Sequence, residues 1–184
     1  MRKVIVLVGL MGAGKTILGK AIGEKFEIDF IDSDVLVEQK SNLSISEIFA
    51  NKGEAEFRKI ESDVILNCFK DRTKSFVLSL GGGAFIQEVV RNIVNREAFS
   101  IYIKVSNQNL FKRLRSARDS RPLLSNVDND DELLNKINLL LAQREEYYAL
   151  ADMTIDVEEN EEVENTLTKL VNKISRGQLE WLKR

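Results

Sequence analysis

The chain has 184 residues, of which 43% are hydrophobic and 30% are charged, and its formal net charge at pH 7 is −2. This length predicts a single domain over residues 1–184, and the weak negative charge argues against a nucleic-acid-binding protein, which normally needs an excess of basic residues. The absence of histidine excludes a histidine general base, a Ser-His-Asp triad and a histidine-ligated metal. The one cysteine cannot form an internal disulfide, in agreement with a reducing cytoplasm.

A short apolar strand is predicted at the N-terminus, over residues 3–8. With the basic residues before it, this segment resembles a signal peptide, but the apolar run is followed directly by a glycine-rich loop. No other segment approaches the ~20 apolar residues that a membrane span needs. We therefore expect a cytoplasmic protein that does not associate with a membrane.

The next eight residues, 9–16, have the sequence Gly-Leu-Met-Gly-Ala-Gly-Lys-Thr, which fits the pattern G-x-x-x-x-G-K-[ST]. Glycines at these positions let backbone N–H groups converge on phosphate oxygens, and a helix beginning near Lys15 would add the positive end of its dipole. We interpret the segment as the phosphate loop of a nucleoside triphosphate site. Lys15 is expected to reach the β- and γ-phosphates, and the Thr16 hydroxyl is expected to bind Mg²⁺.

Helices and apolar strands alternate along the rest of the chain, which is typical of a parallel sheet covered by helices on both faces. The pattern predicts an α/β fold, a three-layer α/β/α sandwich with a five-stranded parallel sheet. Further strands are predicted at 28–31, 76–80, 100–105 and 153–157, and helices at 15–25, 33–40, 45–51, 54–70, 86–96, 107–118, 131–150 and 161–175. A capping box at residues 44–47 supports the helix at 45–51.

Two motifs follow predicted strands. Asp32, Ser33 and Asp34 come directly after the second strand, whose carboxyl end should lie at the same sheet edge as the phosphate loop. Two acids there could hold Mg²⁺ and orient a hydroxyl, or Ser33 or Asp34 could simply cap the next helix. Three glycines at residues 81–83 follow the third strand, where they would let a ligand approach bare backbone or form a flexible turn.

Two arginines lie on predicted helices. Arg58 and Glu61 flank the apolar stripe of the helix at 54–70, which permits a surface ion pair worth only ~0.3 kcal/mol. Cys68 shares that stripe, and we interpret it as a core residue. In the helix at 131–150, heptad spacing places Arg144 on the inward face, where it needs a counter-anion from an internal carboxylate or from a substrate.

The polar, irregular stretch at about 113–130 is predicted to form a mobile lid, and its Arg121 is suited to closing over a phosphate. Taken together, the motifs resemble the shikimate kinase family. They occur in the family's order over nearly the whole chain: the phosphate loop, Asp32-Ser33-Asp34, Gly53-Glu54-x-x-Phe57-Arg58-x-x-Glu61, Gly81-Gly82-Gly83, Arg121-Pro122-Leu123-Leu124 and Arg144-x-x-Tyr147-Tyr148.

The resemblance implies a P-loop NTPase fold of the nucleoside monophosphate kinase type. It also implies ATP-dependent phosphorylation of the 3-hydroxyl of shikimate, giving shikimate 3-phosphate in aromatic amino acid (chorismate) biosynthesis. The partners would be ATP and shikimate, the cofactor one Mg²⁺ ion, and the protein a monomer. The nearest alternative is another small-molecule or nucleotide kinase of the same fold. A GTPase-like switch would need an N-K-x-D motif, and the nearest run, at residues 135–138, lacks the final Asp.

Each matching residue takes an implied role from the resemblance. The implied ATP-binding residues are Gly12, Ala13, Gly14, Lys15, Thr16, Ile17 and Arg121. The implied shikimate-binding residues are Asp34, Arg58, Gly81, Gly82, Gly83 and Arg144. Lys15, Asp34 and Arg121 would be catalytic, and Mg²⁺ would be held by Thr16 and, through water, by Asp32.

Two positions depart from the family's pattern. Ile17 stands where the family usually has a second small hydroxyl residue, which should alter the packing behind the phosphate loop more than the chemistry. The proline often found in the adenine-binding segment after the last strand is missing, because the only proline is Pro122. Arg115 and Arg118 are both possible neighbours of the adenine.

Overall fold

A computed structural model of the chain describes residues 4–71, 73–116, 122–124 and 127–174. At its centre lies one sheet of five parallel strands in the spatial order β2-β3-β1-β4-β5. The strands are β1 (Val4–Val8), β2 (Asp29–Asp32), β3 (Phe76–Ser79), β4 (Ala98–Val105) and β5 (Met153–Val157). The predicted α/β class and the five parallel strands are therefore confirmed.

Seven α-helices lie within the described residues. They are α1 (Lys15–Phe26), α2 (Ser33–Ser41), α3 (Ile45–Cys68), α4 (Glu88–Glu97), α5 (Asn107–Leu114), α6 (Asp130–Tyr148) and α7 (Val163–Lys173), and short 3-10 turns occur at Ala84–Ile86 and Pro122–Leu124. All five residues of β1 are buried, which is expected of a central parallel strand with helices on both faces of its sheet. No helix in these described ranges combines the length and apolar character needed to cross a membrane.

The register of the sheet brings three strand ends to one edge. Ser79, the last residue of β3, lies opposite Asp32 of β2 on one side and Leu7 of β1 on the other. The Leu80 N–H then donates to the Leu7 carbonyl over 3.1 Å, so the chain leaves β3 beside the start of the phosphate loop. This edge is therefore where the candidate site must form.

Helix α3 replaces the two helices predicted at 45–51 and 54–70. Its path is broken at Gly53, whose φ of 79° and ψ of 172° are not helical, so the predicted boundary survives as a kink. Across the kink, the rings of Phe49 and Phe57 pack with their centroids 4.8 Å apart. The capping box at Ser44 is confirmed, because its side chain accepts from the Glu47 N–H while the Glu47 side chain accepts from the Ser44 N–H.

Other predicted boundaries were displaced by a few residues. The predicted helix at 86–96 begins only at Glu88, since a 3-10 turn comes first, and the predicted helix at 107–118 ends at Leu114. Strand β4 begins at Ala98, two residues earlier than predicted, because its first residues pair with β1. Cys68 is partly buried against the core, and burial raises the pKa of its thiol, which agrees with a packing role.

Candidate active site

The phosphate loop (residues 9–16) has the backbone conformation that its glycines allow. Gly9, Gly12 and Gly14 have φ angles of 144°, 80° and 95°, which other residues rarely adopt. Lys15 is the first residue of α1 and is mostly buried, and its Nζ donates to the carbonyl oxygens of Gly9 and Leu10 over 2.8 and 2.9 Å. The loop thus holds the lysine ammonium on the same side as the helix N-terminus, where phosphate oxygens are favoured.

Asp32 joins the phosphate loop to the start of α2. Its Oδ2 accepts from the Thr16 hydroxyl over 2.8 Å, while its Oδ1 accepts from the Asp34 N–H over 3.0 Å and caps the helix. The helix is therefore capped by Asp32. The alternative interpretation, in which Ser33 or Asp34 is the cap, was wrong. The hydroxyl of Thr16 and the carboxylate of Asp32 meet at the loop, and both are oxygen ligands of the kind that Mg²⁺ prefers.

Ser33 was expected at most to cap a helix, but it connects two parts of the site. It is completely buried, and its Oγ accepts from the Gly81 N–H over 2.8 Å. This bond ties the start of α2 to the three glycines at residues 81–83, here called the glycine turn. A local reading of the sequence could not find this contact, because it depends on β2 and β3 being neighbours.

The glycine turn is required for steric reasons. A Cβ on Gly81 would lie 2.5 Å from Glu61 Oε1 and 2.7 Å from Asp34 Oδ1, and a Cβ on Gly83 would lie 2.5 Å from Arg58 Nη2. The sequence predicted bare backbone for a ligand to approach. In the structure, the charged side chains of the site approach that backbone.

Arg58 and Glu61 form a buried ion pair, and the prediction of a surface pair was wrong. Arg58 Nη1 donates to Glu61 Oε2 over 2.7 Å, and the two side chains are 19% and 0% exposed. The Arg58 guanidinium also bonds Glu54 and lies 5.0 Å from the centre of the Phe57 ring, so several contacts fix its position. Burial raises the pKa of Glu61, an effect that the charge of Arg58 opposes. The pair is buried because the glycine turn covers it.

Arg144 is buried on the inward face of α6, as the heptad spacing predicted. It reaches the glycine turn, since a Cβ on Gly82 would lie 3.6 Å from its Nη1. Within the described ranges, this Nη1 is a buried donor with no hydrogen-bond partner. An unsatisfied guanidinium N–H at the wall of a cavity is well placed to bind an anion.

Arg113 is a site residue that sequence reasoning missed. Its Nη1 lies 3.3 Å from the carbonyl oxygens of Gly12 and Ala13 and donates to them. Arg115, one of the two expected adenine neighbours, pairs instead with Asp130 at 2.7 Å, and Arg118 lies outside the described residues. The available signal was the position of Arg113 on α5, between the buried Leu110 and Leu114.

These groups line one cavity of about 930 Å³. The phosphate loop, with Ile17 at its rim, borders one part, and Asp34, Arg58 and Arg144 border another. Pro122 and Leu123 also line the cavity, whereas Arg121 and, with it, residues 117–120 and 125–126 of the predicted lid lie outside the described residues. Among the residues placed by the structure, no three His, Cys, Asp or Glu side chains are grouped to hold a metal ion.

Comparisons with known proteins show which family this chain is similar to. The family model for shikimate kinase matches residues 11–175. The shikimate kinase of Bartonella henselae is 42% identical over 154 residues, covering 84% of this chain and 70% of that protein. The shikimate kinase of Geobacillus thermodenitrificans is 40% identical over 159 residues, covering 85% of this chain and 81% of that protein.

Two solved structures share the fold at similar sequence identity. The crystal structure of shikimate kinase from Bacteroides thetaiotaomicron superposes with a TM-score of 0.82 at 32% identity, covering 96% of this chain and 98% of that one. Shikimate kinase from Acinetobacter baumannii in complex with shikimate gives a TM-score of 0.82 at 31% identity, covering 95% and 97%. The fold is thus the P-loop kinase fold that the resemblance implied, and this chain belongs to the shikimate kinase family.

Proposed function

We propose that this chain transfers the γ-phosphoryl group of ATP to the 3-hydroxyl of shikimate, giving shikimate 3-phosphate and ADP. The observation that carries the proposal is that a phosphate loop and a cluster of one acid and two arginines line the same cavity. The phosphate loop alone would fit many kinases. The two arginines favour an acceptor with an anionic group, and membership of the shikimate kinase family supports shikimate as that acceptor.

The acceptor would be held by Asp34, Arg58, Arg144 and the backbone of the glycine turn. Two guanidinium groups can clamp a carboxylate with directional hydrogen bonds, and the unsatisfied Nη1 of Arg144 is one donor for it. Asp34 would contact the ring hydroxyls, orient the one that reacts and accept its proton. The chain has no histidine, so a histidine cannot be the group that takes this proton.

The nucleotide would occupy the part of the cavity formed by residues 12–17. Backbone N–H groups of the loop would bind the phosphates, and the Lys15 ammonium would exchange its loop carbonyl partners for β- and γ-phosphate oxygens. Arg113 replaces Arg115 as the candidate neighbour of the nucleotide, because it lies against the loop while Arg115 pairs with Asp130. Arg121 is proposed to close over the phosphate being transferred.

The Thr16 hydroxyl and the Asp32 carboxylate would hold one Mg²⁺ ion, with Asp32 acting through water. Their 2.8 Å contact places two oxygen ligands together beside the loop, and the capping bond to the Asp34 N–H fixes the Asp32 side chain. When bound, the ion would neutralise charge on the β- and γ-phosphates. The residues of the chain would otherwise act by positioning the substrates and by stabilising charge as the phosphoryl group moves.

The proposal is tested by measuring ADP release with ATP and shikimate, and then with nucleoside monophosphates as acceptors. Shikimate is expected to support turnover, and the product is expected to carry phosphate on its 3-hydroxyl, which ³¹P and proton NMR can assign. The Lys15→Ala protein is the control for contaminating kinases. ADP release with a nucleoside monophosphate but not with shikimate would overturn the proposal in favour of a nucleotide kinase.

A further inference from the structure

Helix α6 ends at two consecutive tyrosines, of which Tyr148 contacts the segment after β3 directly and Tyr147 reaches it through Arg91. Tyr148 is 1% exposed, and its hydroxyl donates to the carbonyl oxygen of Gly82. The hydrogen bond joins residues 66 positions apart in the chain. It therefore fixes the end of α6 to the middle of the glycine turn.

The ring of Tyr147 contacts Arg91 of α4, which in turn bonds the same segment. The guanidinium of Arg91 lies 5.0 Å from the centre of that ring, and its Nη1 donates to the carbonyl oxygens of Phe85 and Ile86 over 3.2 and 2.8 Å. Tyr148 thus holds this segment directly, and Tyr147 does so only through Arg91. Only the contact of Tyr148 is made by a hydroxyl at the cavity side, where the glycine turn lies.

Arg144 precedes Tyr148 by one helical turn, so both side chains project from the same face of α6. The charge of Arg144 acts to lower the pKa of Tyr148, although burial has the larger effect and raises it to about 12. The hydroxyl therefore keeps its proton at neutral pH. It is therefore available to donate to the Gly82 carbonyl.

Gly82 lies between this hydroxyl and the phosphate loop. A Cβ at Gly82 would be 3.1 Å from the Met11 nitrogen and 3.6 Å from Arg144 Nη1. Gly82 therefore lies against both the loop and the arginine. The Tyr148 hydroxyl is bonded to the carbonyl oxygen of this same residue.

We propose that Tyr148 is a positioning residue for the acceptor site. By bonding the Gly82 carbonyl, it fixes the part of the glycine turn against which the Arg144 guanidinium lies, and so the direction in which that guanidinium meets the anionic group of the acceptor. The proposal rests on the proposed function, because the KM for shikimate is the quantity that would show a change in the direction of the Arg144 guanidinium. Loss of the hydroxyl should therefore weaken binding of the acceptor and leave binding of the nucleotide unchanged.

The test is the Tyr148→Phe protein, which loses the hydroxyl and keeps the buried ring. Its KM for shikimate is expected to rise about tenfold, the order of effect when a buried hydrogen bond is removed and its partners stay unpaired. Its KM for ATP is expected to stay within about twofold. Tyr102→Phe is the matched control, since Tyr102 is also buried and its ring packs 5.1 Å from that of Tyr148, but its side chain belongs to β4.

A rise in the shikimate KM alone, seen in Tyr148→Phe but not in Tyr102→Phe, would support the proposal. Unchanged constants, an equal rise for both substrates, or the same shift in the control would overturn it. A Tyr148→Phe protein that fails to fold would assign the hydroxyl a structural role and also overturn it. Failure of the proposed function would be seen separately, because the unsubstituted protein would then show no turnover with shikimate.

Discussion

Substitution of Gly83 by alanine tests whether the glycine turn and Arg58 depend on each other. The added methyl would lie 2.5 to 2.7 Å from three atoms of the Arg58 guanidinium. An ordinary contact needs about 3.5 Å, so the guanidinium must move by about 1 Å, and errors of this size in a site can cost up to about 10²-fold. We expect the KM for shikimate to rise between about 10-fold and 100-fold, equivalent to about 1.4 to 2.7 kcal/mol.

The fold itself should tolerate this change. Gly83 has a φ of −104° and a ψ of −7°, which alanine adopts without strain. Loss of glycine's freedom in the unfolded chain stabilises the folded state by about 0.4 to 1 kcal/mol, which offsets part of the cost of moving one flexible side chain. The melting temperature should therefore change by only a few degrees.

A double-mutant cycle with Arg58→Ala separates displacement of the arginine from other effects of the methyl group. The four proteins would be compared by steady-state assay with shikimate and with ATP. In the Arg58→Ala background, Gly83→Ala should have almost no further effect on the shikimate KM, because the group it displaces is gone. Equal effects in both backgrounds, or an unchanged shikimate KM in Gly83→Ala alone, would refute the reasoning.

Three further predictions concern the charged groups of the site. Lys15→Ala should lower kcat by far more than tenfold with little change in melting temperature. Turnover within about tenfold of the unsubstituted protein, which corresponds to ~1.4 kcal/mol of barrier, would contradict the assignment of the phosphate loop. Arg144→Lys keeps the charge but loses the planar fork, so steady-state kinetics should show a higher KM for shikimate and little change for ATP; an unchanged shikimate KM would make Arg144 a structural residue. Because burial raises the pKa of Glu61 above 4.5, the folded protein holds a proton there that the unfolded chain has released, and stability falls as pH rises from 4.5 through the raised pKa. Glu61→Gln should remove this contribution, so its melting temperature should depend less on pH over this range than that of the unsubstituted protein. An identical dependence in the two proteins would contradict the prediction.

The phosphate loop could be predicted in detail because its properties are local. Three glycines with positive φ, a lysine at the first position of a helix and a preceding buried strand are all encoded within residues 4–16. Arg144 was predictable for a similar reason, since helical periodicity alone places it on the inward face.

The acceptor part of the cavity could be predicted only in its residue types. Spacing on a helix showed that Arg58 and Glu61 are neighbours, but their burial depends on a turn contributed by a different strand. The contact of Ser33 with Gly81 likewise requires the pairing of β2 with β3, which follows from sheet topology. Arg113 was missed because its contacts with Gly12 and Ala13 join residues about 100 positions apart, which spacing along the chain does not reveal.

The kink in α3 gives an unusual importance to a residue with few contacts. A Cβ at Gly53 would meet no described atom within 4 Å, yet its φ of 79° and ψ of 172° lie in a region that is nearly exclusive to glycine. A larger residue there would favour an unbroken helix and so change the angle between the segment that carries Phe49 and the segment that carries Arg58. The absence of described atoms around Gly53 suggests that any residue could replace it. In a library of random variants, however, position 53 should be among those that tolerate few substitutions. The position of Arg58 in the acceptor part of the cavity therefore depends on the backbone conformation of Gly53. A comparison of the side chains that line the cavity would overlook this dependence.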